Sequence, residues 1–106
     1  MNTETPALVR ALLNDSLVVW KVRGEVTSGE PPADAVVHAE AGTVVSVEQA
    51  PASDAPIRWW VRWHSPGSVP RSRPCTSVVG LLRTVRDALG AEPGYRVRIA
   101  PLPGRT

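Results

Sequence analysis

Cys75 carries the most reactive functional group in the sequence, and it is the single cysteine of the chain. It follows two arginines in the segment RSRPCTS, residues 71–77, directly before a predicted helix. Arginines and a helix N-terminus favour a thiolate, and His38 or His64 could act as its base. The phosphatase spacing of a cysteine, five residues and an arginine is not met, because position 81 is leucine. We therefore expect a small buried cysteine and no catalytic residues.

Histidine and carboxylate side chains could bind a metal ion or transfer protons. His38 and Glu40 share one face of a predicted strand, but two ligands do not complete a zinc site. Glu25, Glu40 and Glu48 could face the same side of a sheet, where they would balance nearby arginines or form an acid–base pair. The first interpretation is favoured, because a catalytic carboxylate needs a pocket. Glycine patterns of phosphate or dinucleotide binding are absent. The sequence thus predicts no metal and no cofactor, and favours a non-catalytic role.

Residues 71–77 also have the composition of an anion site. Arg71 and Arg73 precede the predicted helix, and Thr76 and Ser77 supply hydroxyl groups beside its exposed N–H groups. These four side chains could together hold a phosphate or a carboxylate. In the simpler interpretation, Thr76 or Ser77 caps the helix and both arginines are solvated.

The segment IRWWVRWH contains three of the four tryptophans, interleaved with arginine. Because side chains alternate between the two faces of a strand, Trp59 and Trp63 are predicted to face the core. Trp60 then points to the opposite face, between Arg58 and Arg62. The same alternation supplies this opposite face with further basic residues (Lys21, Arg23, Arg96 and Arg98) and with apolar residues (Leu17, Val19, Val36 and Val44).

Three interpretations of this mixed face compete. The N-terminal helix could cover its apolar part, with Arg58 and Arg62 stacked on Trp60 through cation–π contacts. A second copy of the chain could cover it instead, with Trp60 and the arginines at the centre of the interface. Single-stranded nucleic acid could also bind there, with a base on Trp60, although one stacking aromatic residue is few.

The periodicity of apolar residues predicts an α+β domain. A short helix of about ten residues begins at Thr5-Pro6 and ends at Asn14-Asp15. A second helix ends at Gly90. The predicted order is α-β-β-β-β-α-β, a mostly antiparallel sheet of four to five strands packed with two helices. The predicted strands cover residues 17–26, 35–40, 43–49, 57–64 and 95–99, and the second helix covers residues 76–89.

Length, composition and charge limit the class of protein. The 106 residues suffice for one domain, residues 1–106, with loose termini at 1–4 and 101–106. Residues 1–56 hold three basic and eight acidic side chains, whereas residues 57–106 hold nine and two. This asymmetry is compatible with an anionic partner or with strands that neutralise each other. The longest apolar runs are too short to span a membrane.

The same composition suggests where the protein works. A single cysteine is compatible with a reducing cytoplasm, and the N-terminus lacks the pattern of a secretory signal. Eleven arginines against one lysine suggest a GC-rich bacterial genome.

These observations predict a small cytoplasmic module that associates with itself, favouring a dimer, or with another protein. The candidate partner face comprises Arg58, Trp60, Arg62, Val19, Val36 and Val44. One alternative is anion or single-stranded nucleic-acid binding by Arg58, Trp60, Arg62 and the 71–77 loop. A second alternative is a small-molecule pocket between sheet and helix, lined by tryptophans.

Overall fold

The computed structural model describes residues 4–30 and 33–90. Helix α1 comprises Glu4–Trp20 and is longer than the sequence predicts. Val9, Leu13 and Leu17 are buried at intervals of four residues, so the apolar stripe of a helix continues past Asn14-Asp15. The strand predicted for residues 17–26 is therefore wrong at residues 17–20, and the observed strand begins only at Gly24.

A left-handed residue ends α1 at Trp20. Lys21 has a φ of 60°. Its N–H donates to the Val18 carbonyl at 3.1 Å, and the Val22 N–H donates to the Leu17 carbonyl at 3.0 Å. This pair of hydrogen bonds is a Schellman motif, which usually has glycine at the left-handed position.

The sheet is an antiparallel meander of five strands, and each strand pairs with its neighbours in the sequence. The β2–β3 hairpin turns at Gly42, whose φ of 109° lies in a region that glycine adopts readily. The tryptophan strand, β4, pairs with β3 on one side and β5 on the other. The strands are β1 Gly24–Thr27, β2 Ala35–Ala39, β3 Val44–Gln49, β4 Trp59–His64 and β5 Arg71–Cys75.

Strand β5 lies where the sequence predicted irregular structure. Pro74 and the lack of apolar alternation concealed this strand, since only Cys75 of the five residues is buried. Pro74 is tolerated because β5 pairs with β4 alone among the described residues and leaves its other edge unpaired. The arginines and proline on this edge also discourage further strand addition.

Helix α2, Val78–Ala88, agrees closely with the prediction. Ser77 is its N-cap, and its hydroxyl accepts from the Gly80 N–H at 3.0 Å. Gly90 follows the helix with a φ of 72°, as a left-handed cap requires. Leu81 and Val85 are buried against the sheet.

Both helices pack on the same face of the sheet. Helix α1 contacts β1 and β2, and α2 contacts β4 and β5. The core between the two layers contains residues such as Leu13, Val47 and Val61, all fully buried. Burial of each such side chain stabilises the fold by about 1.5–3 kcal/mol.

The α+β class is confirmed, with a single domain built from two helices and a five-stranded antiparallel sheet. The order in the described residues is α1-β1-β2-β3-β4-β5-α2. The strand predicted at residues 95–99 and the loose tail predicted at 101–106 lie outside the described residues. Within residues 4–30 and 33–90, neither helix has the length and apolar character needed to cross a membrane.

Candidate functional site

The sheet face opposite the helices is here called the outer face. Strand register aligns Thr27, Val36, Ser46 and Arg62 in one row across four strands. A second row contains Glu25, His38, Val44 and His64, and a third contains Glu48, Trp60 and Pro74. The half-buried members of these rows are Thr27, Val36, Val44, Ser46, Glu48 and Trp60.

Trp60 is the central aromatic residue of the outer face, as the alternation of β4 predicts. Its Nε1 donates to Asp54 Oδ2 at 3.0 Å. Asp54 belongs to a 3-10 turn, Ala52–Asp54, in the loop between β3 and β4. The loop therefore holds the indole at its polar edge and leaves the ring on the sheet surface. By contrast, Trp59 is only 3% exposed and lies in the core.

The arginines on either side of Trp60 do not stack on it. The Arg58 guanidinium lies 4.7 Å from the centre of the Trp59 ring. Arg62 Nη1 lies 2.6 Å from Glu48 Oε1, and the Glu48 side chain is only 17% exposed. The expected stacking of both arginines on Trp60 is therefore wrong. The neighbouring strand supplies the carboxylate that Arg62 binds.

Helix α1 does not cover the outer face, so the first of the three interpretations is wrong. Val19, predicted to lie on this face, is in α1 and is 75% exposed on the helix side of the molecule. The error arises because residues 17–20 are all apolar, and so short an apolar run fits both a helix and a buried strand. Val36 and Val44 do lie on the outer face.

The outer face is less basic than expected. Lys21 lies in the turn after α1, and Arg23 precedes β1, where it contacts Glu40 at 3.8 Å. The described rows of the outer face contain one arginine, Arg62, and two glutamates, Glu25 and Glu48. Residues 96 and 98, the other two expected arginines, lie outside the described residues.

The four residues of the predicted anion site are not gathered into one cradle. Ser77 uses its hydroxyl as the helix cap. Arg73 lies 3.6 Å from Asp87 and 5.7 Å from the centre of the Trp63 ring, and contacts Thr84 at 3.5 Å. Arg71 is at the far end of β5, about 17 Å along the strand from Thr76. The simpler interpretation of Ser77 as a cap is confirmed.

Cys75 is buried, as predicted. Its Sγ lies 3.5 Å from Thr84 Oγ1 and 3.8 Å from the Gly80 carbonyl oxygen, so it packs against α2. His38 and His64 are on the outer face, whereas Cys75 faces the helices. The two possible bases are thus separated from the thiol by the sheet. Within residues 4–30 and 33–90, no three histidine, cysteine, aspartate or glutamate side chains are grouped to hold a metal ion.

A groove between α1 and α2 is the feature that sequence analysis missed. It has a volume of about 450 Å³ and lies on the helix side of the molecule. We call it the helix groove. The exposed valines Val19 and Val79 are on its rim, at 75% and 64% exposure. Trp20 also lines it. All of its lining residues belong to the two helices, so the cavity does not lie between sheet and helix as the second alternative predicted. The other lining residues are Leu12, Asp15, Ser16, Leu82, Arg83 and Arg86.

Comparison of the chain with protein-family models, with curated proteins and with solved structures finds no match. Functional inference therefore depends on the geometry of the outer face and the helix groove.

Proposed function

We propose that the protein is a small non-catalytic association module that pairs with a second copy of itself through the outer face. One observation carries the proposal. Both helices pack on the same side of the sheet, so neither helix covers Val36, Val44 or Trp60, which are half-buried. A sheet face that no helix covers, with apolar residues and an anchored tryptophan, is typical of a protein interface.

The charges of the outer face support a second copy as the partner. Arg62 is paired with Glu48, and Glu25 lies in the row of Val44, next to His38. A face with a low net charge, and with charges of both signs, does not repel a copy of itself. A two-fold axis would place the apolar patch of each copy against that of the other.

The size of the face indicates a weak dimer. Five strands about 4.8 Å apart and about five residues long give a face of about 24 Å by 17 Å. Two such faces bury about 800 Å² in total, which is below the usual size of a stable interface. We therefore expect a dissociation constant in the micromolar range or above.

Nucleic-acid binding has less support. Such a site needs unpaired cations beside the stacking ring. Arg62 already binds Glu48, and Arg58 already lies on Trp59. The cytoplasmic location and bacterial origin are parts of the same proposal, and their support remains the single cysteine and the arginine-rich composition.

Solution mass as a function of concentration tests the proposal. Light scattering from about 10 µM to about 1 mM should show the mass of wild type rising toward that of a dimer. The rise should persist at high salt, because the contact is largely apolar. Trp60→Ala and Ser46→Lys should remain monomeric across the same range, since both residues lie on the outer face.

Ser68→Lys is the matched control for Ser46→Lys. It makes the same change at an exposed residue of the β4–β5 loop, outside the sheet. Circular dichroism should show that all variants remain folded. A wild-type protein that stays monomeric at every concentration would contradict the proposal, as would an equal loss of dimer in Ser68→Lys.

A further inference from the structure

The helix groove has an apolar floor, which adjoins the core, and an apolar rim. Leu12, Trp20 and Leu82 are half-buried along it, and Val19 and Val79 are mostly exposed at its edges. Exposed valines on two adjacent helices form a contiguous apolar surface, and such surfaces mark interaction sites. The surface lies on the opposite side of the molecule from the outer face.

The charged residues of the helix groove are unbalanced. Arg83 and Arg86 project from α2, whereas Asp15 is the acid that lines the groove from α1. Neither arginine forms an ion pair with any residue in 4–30 or 33–90. In addition, Arg86 Nε is buried and has no hydrogen-bond acceptor among these residues. Arg86 as a whole is half-buried and Arg83 is exposed, so a carboxylate of a partner could reach these two guanidinium groups and complement their charge.

The α2 side of the groove is long enough to align part of another helix. Its lining residues run from Val79 to Arg86, which corresponds to about 10 Å or two turns. An amphipathic helix laid along it would place its apolar residues at intervals of three and four on the valines and leucines. Its flank would meet Arg83 and Arg86.

We propose that the helix groove binds an acidic amphipathic helix of a partner protein. Charge disfavours the two nearest competitors. The chain's own residues 91–106 hold three arginines and one glutamate, so they would add positive charge to the groove. A second copy would bring an identical groove, again with two arginines and one aspartate.

Two synthetic peptides of about 14 residues test this proposal. Both carry leucines on one helical face; one has glutamates along the flanks and its twin has lysines. Titrated with the protein and followed by fluorescence anisotropy, the glutamate peptide should bind saturably, and at least about tenfold more tightly than the lysine peptide. Equal binding of both peptides, or no binding of either, would overturn the proposal.

Variants locate the binding on the protein. Val79→Asp should weaken binding of the glutamate peptide about tenfold or more, because it puts a carboxylate on the rim. Val69→Asp is the matched control: Val69 is 71% exposed in the β4–β5 loop, away from the groove. Arg83→Glu should shift the preference toward the lysine peptide.

The same variants separate this proposal from the self-association proposal. The solution mass of Val79→Asp should equal that of wild type at every concentration, since the outer face is unchanged. If Val79→Asp abolishes a wild-type dimer, the groove is the site of a second copy and the peptide proposal fails. An equal effect of Val69→Asp would also refute it.

Discussion

Trp59 and Trp60 are adjacent in sequence and have separate roles. Trp59 is buried in the core, and the Arg58 guanidinium lies over its ring. Trp60 lies on the outer face and is held by Asp54 through a hydrogen bond of 3.0 Å. An indole that is fixed before binding loses less conformational entropy when an interface forms. In the proposed dimer, the polar contact therefore serves recognition as well as stability.

We expect Asp54→Ala to lower the free energy of unfolding by about 1 kcal/mol, because the indole N–H loses its acceptor. The loss of stability caused by Asp54→Ala should largely disappear in the Trp60→Phe background, because phenylalanine has no N–H to donate. Urea unfolding of wild type, both single variants and the double variant measures this coupling. Equal losses from Asp54→Ala in both backgrounds would show that Asp54 acts on something other than Trp60.

Among the elements, α1 determines which surfaces remain free. Its extension to Trp20 places Val18 and Val19 on the helix side, at 78% and 75% exposure. Its buried stripe covers β1 and β2, while α2 covers β4 and β5. The helix groove exists because the two helices lie side by side on the sheet. The turn at Lys21 therefore supports the groove by ending α1 at the correct residue.

We expect Lys21→Gly to stabilise the protein by about 1 kcal/mol, because glycine adopts a φ of 60° without the steric cost that a side chain carries. Lys21→Ala is the control and should change stability little, since alanine retains the Cβ atom. Thermal or urea unfolding measures the difference. If the alanine variant gained as much as the glycine variant, the charge of Lys21 and not its backbone would be responsible.

The whole molecule has two different surfaces on opposite sides. The outer face is nearly balanced in charge and has modest apolar area, whereas the helix groove is concave, apolar and basic. A dimer formed through the two outer faces would leave both helix grooves exposed and pointing away from each other. Such an arrangement would allow one dimer to bind two acidic helices.

We expect the thermal unfolding midpoint to rise with protein concentration, because a dimer that binds only folded chains stabilises them by mass action. Above the dissociation constant, a tenfold increase in concentration should add about 0.7 kcal/mol per chain and raise Tm by about 3–5 °C. Differential scanning calorimetry measures the shift. For Ser46→Lys the midpoint should be independent of concentration; a wild-type midpoint that is equally independent would contradict self-association.

The sequence by itself determined the features that depend on local periodicity. Alternation correctly located the hairpin strands and β4, and assigned Trp59 and Trp60 to opposite faces. The apolar stripe of α2 and the glycine that follows the helix were also predicted correctly. These features follow from neighbouring residues, because the period of side chains is a property of the backbone conformation itself.

Tertiary structure alone decided the remaining features, since they depend on contacts between residues distant in sequence. Residues 17–20 fit both a helix and a strand, and burial of Leu17 beside Leu13 selects the helix. Strand β5 exists because β4 offers it a partner edge, despite Pro74. Arg62 is neutralised by a carboxylate from another strand. The helix groove likewise requires two helices that all five strands separate in the sequence, so no local pattern could predict it.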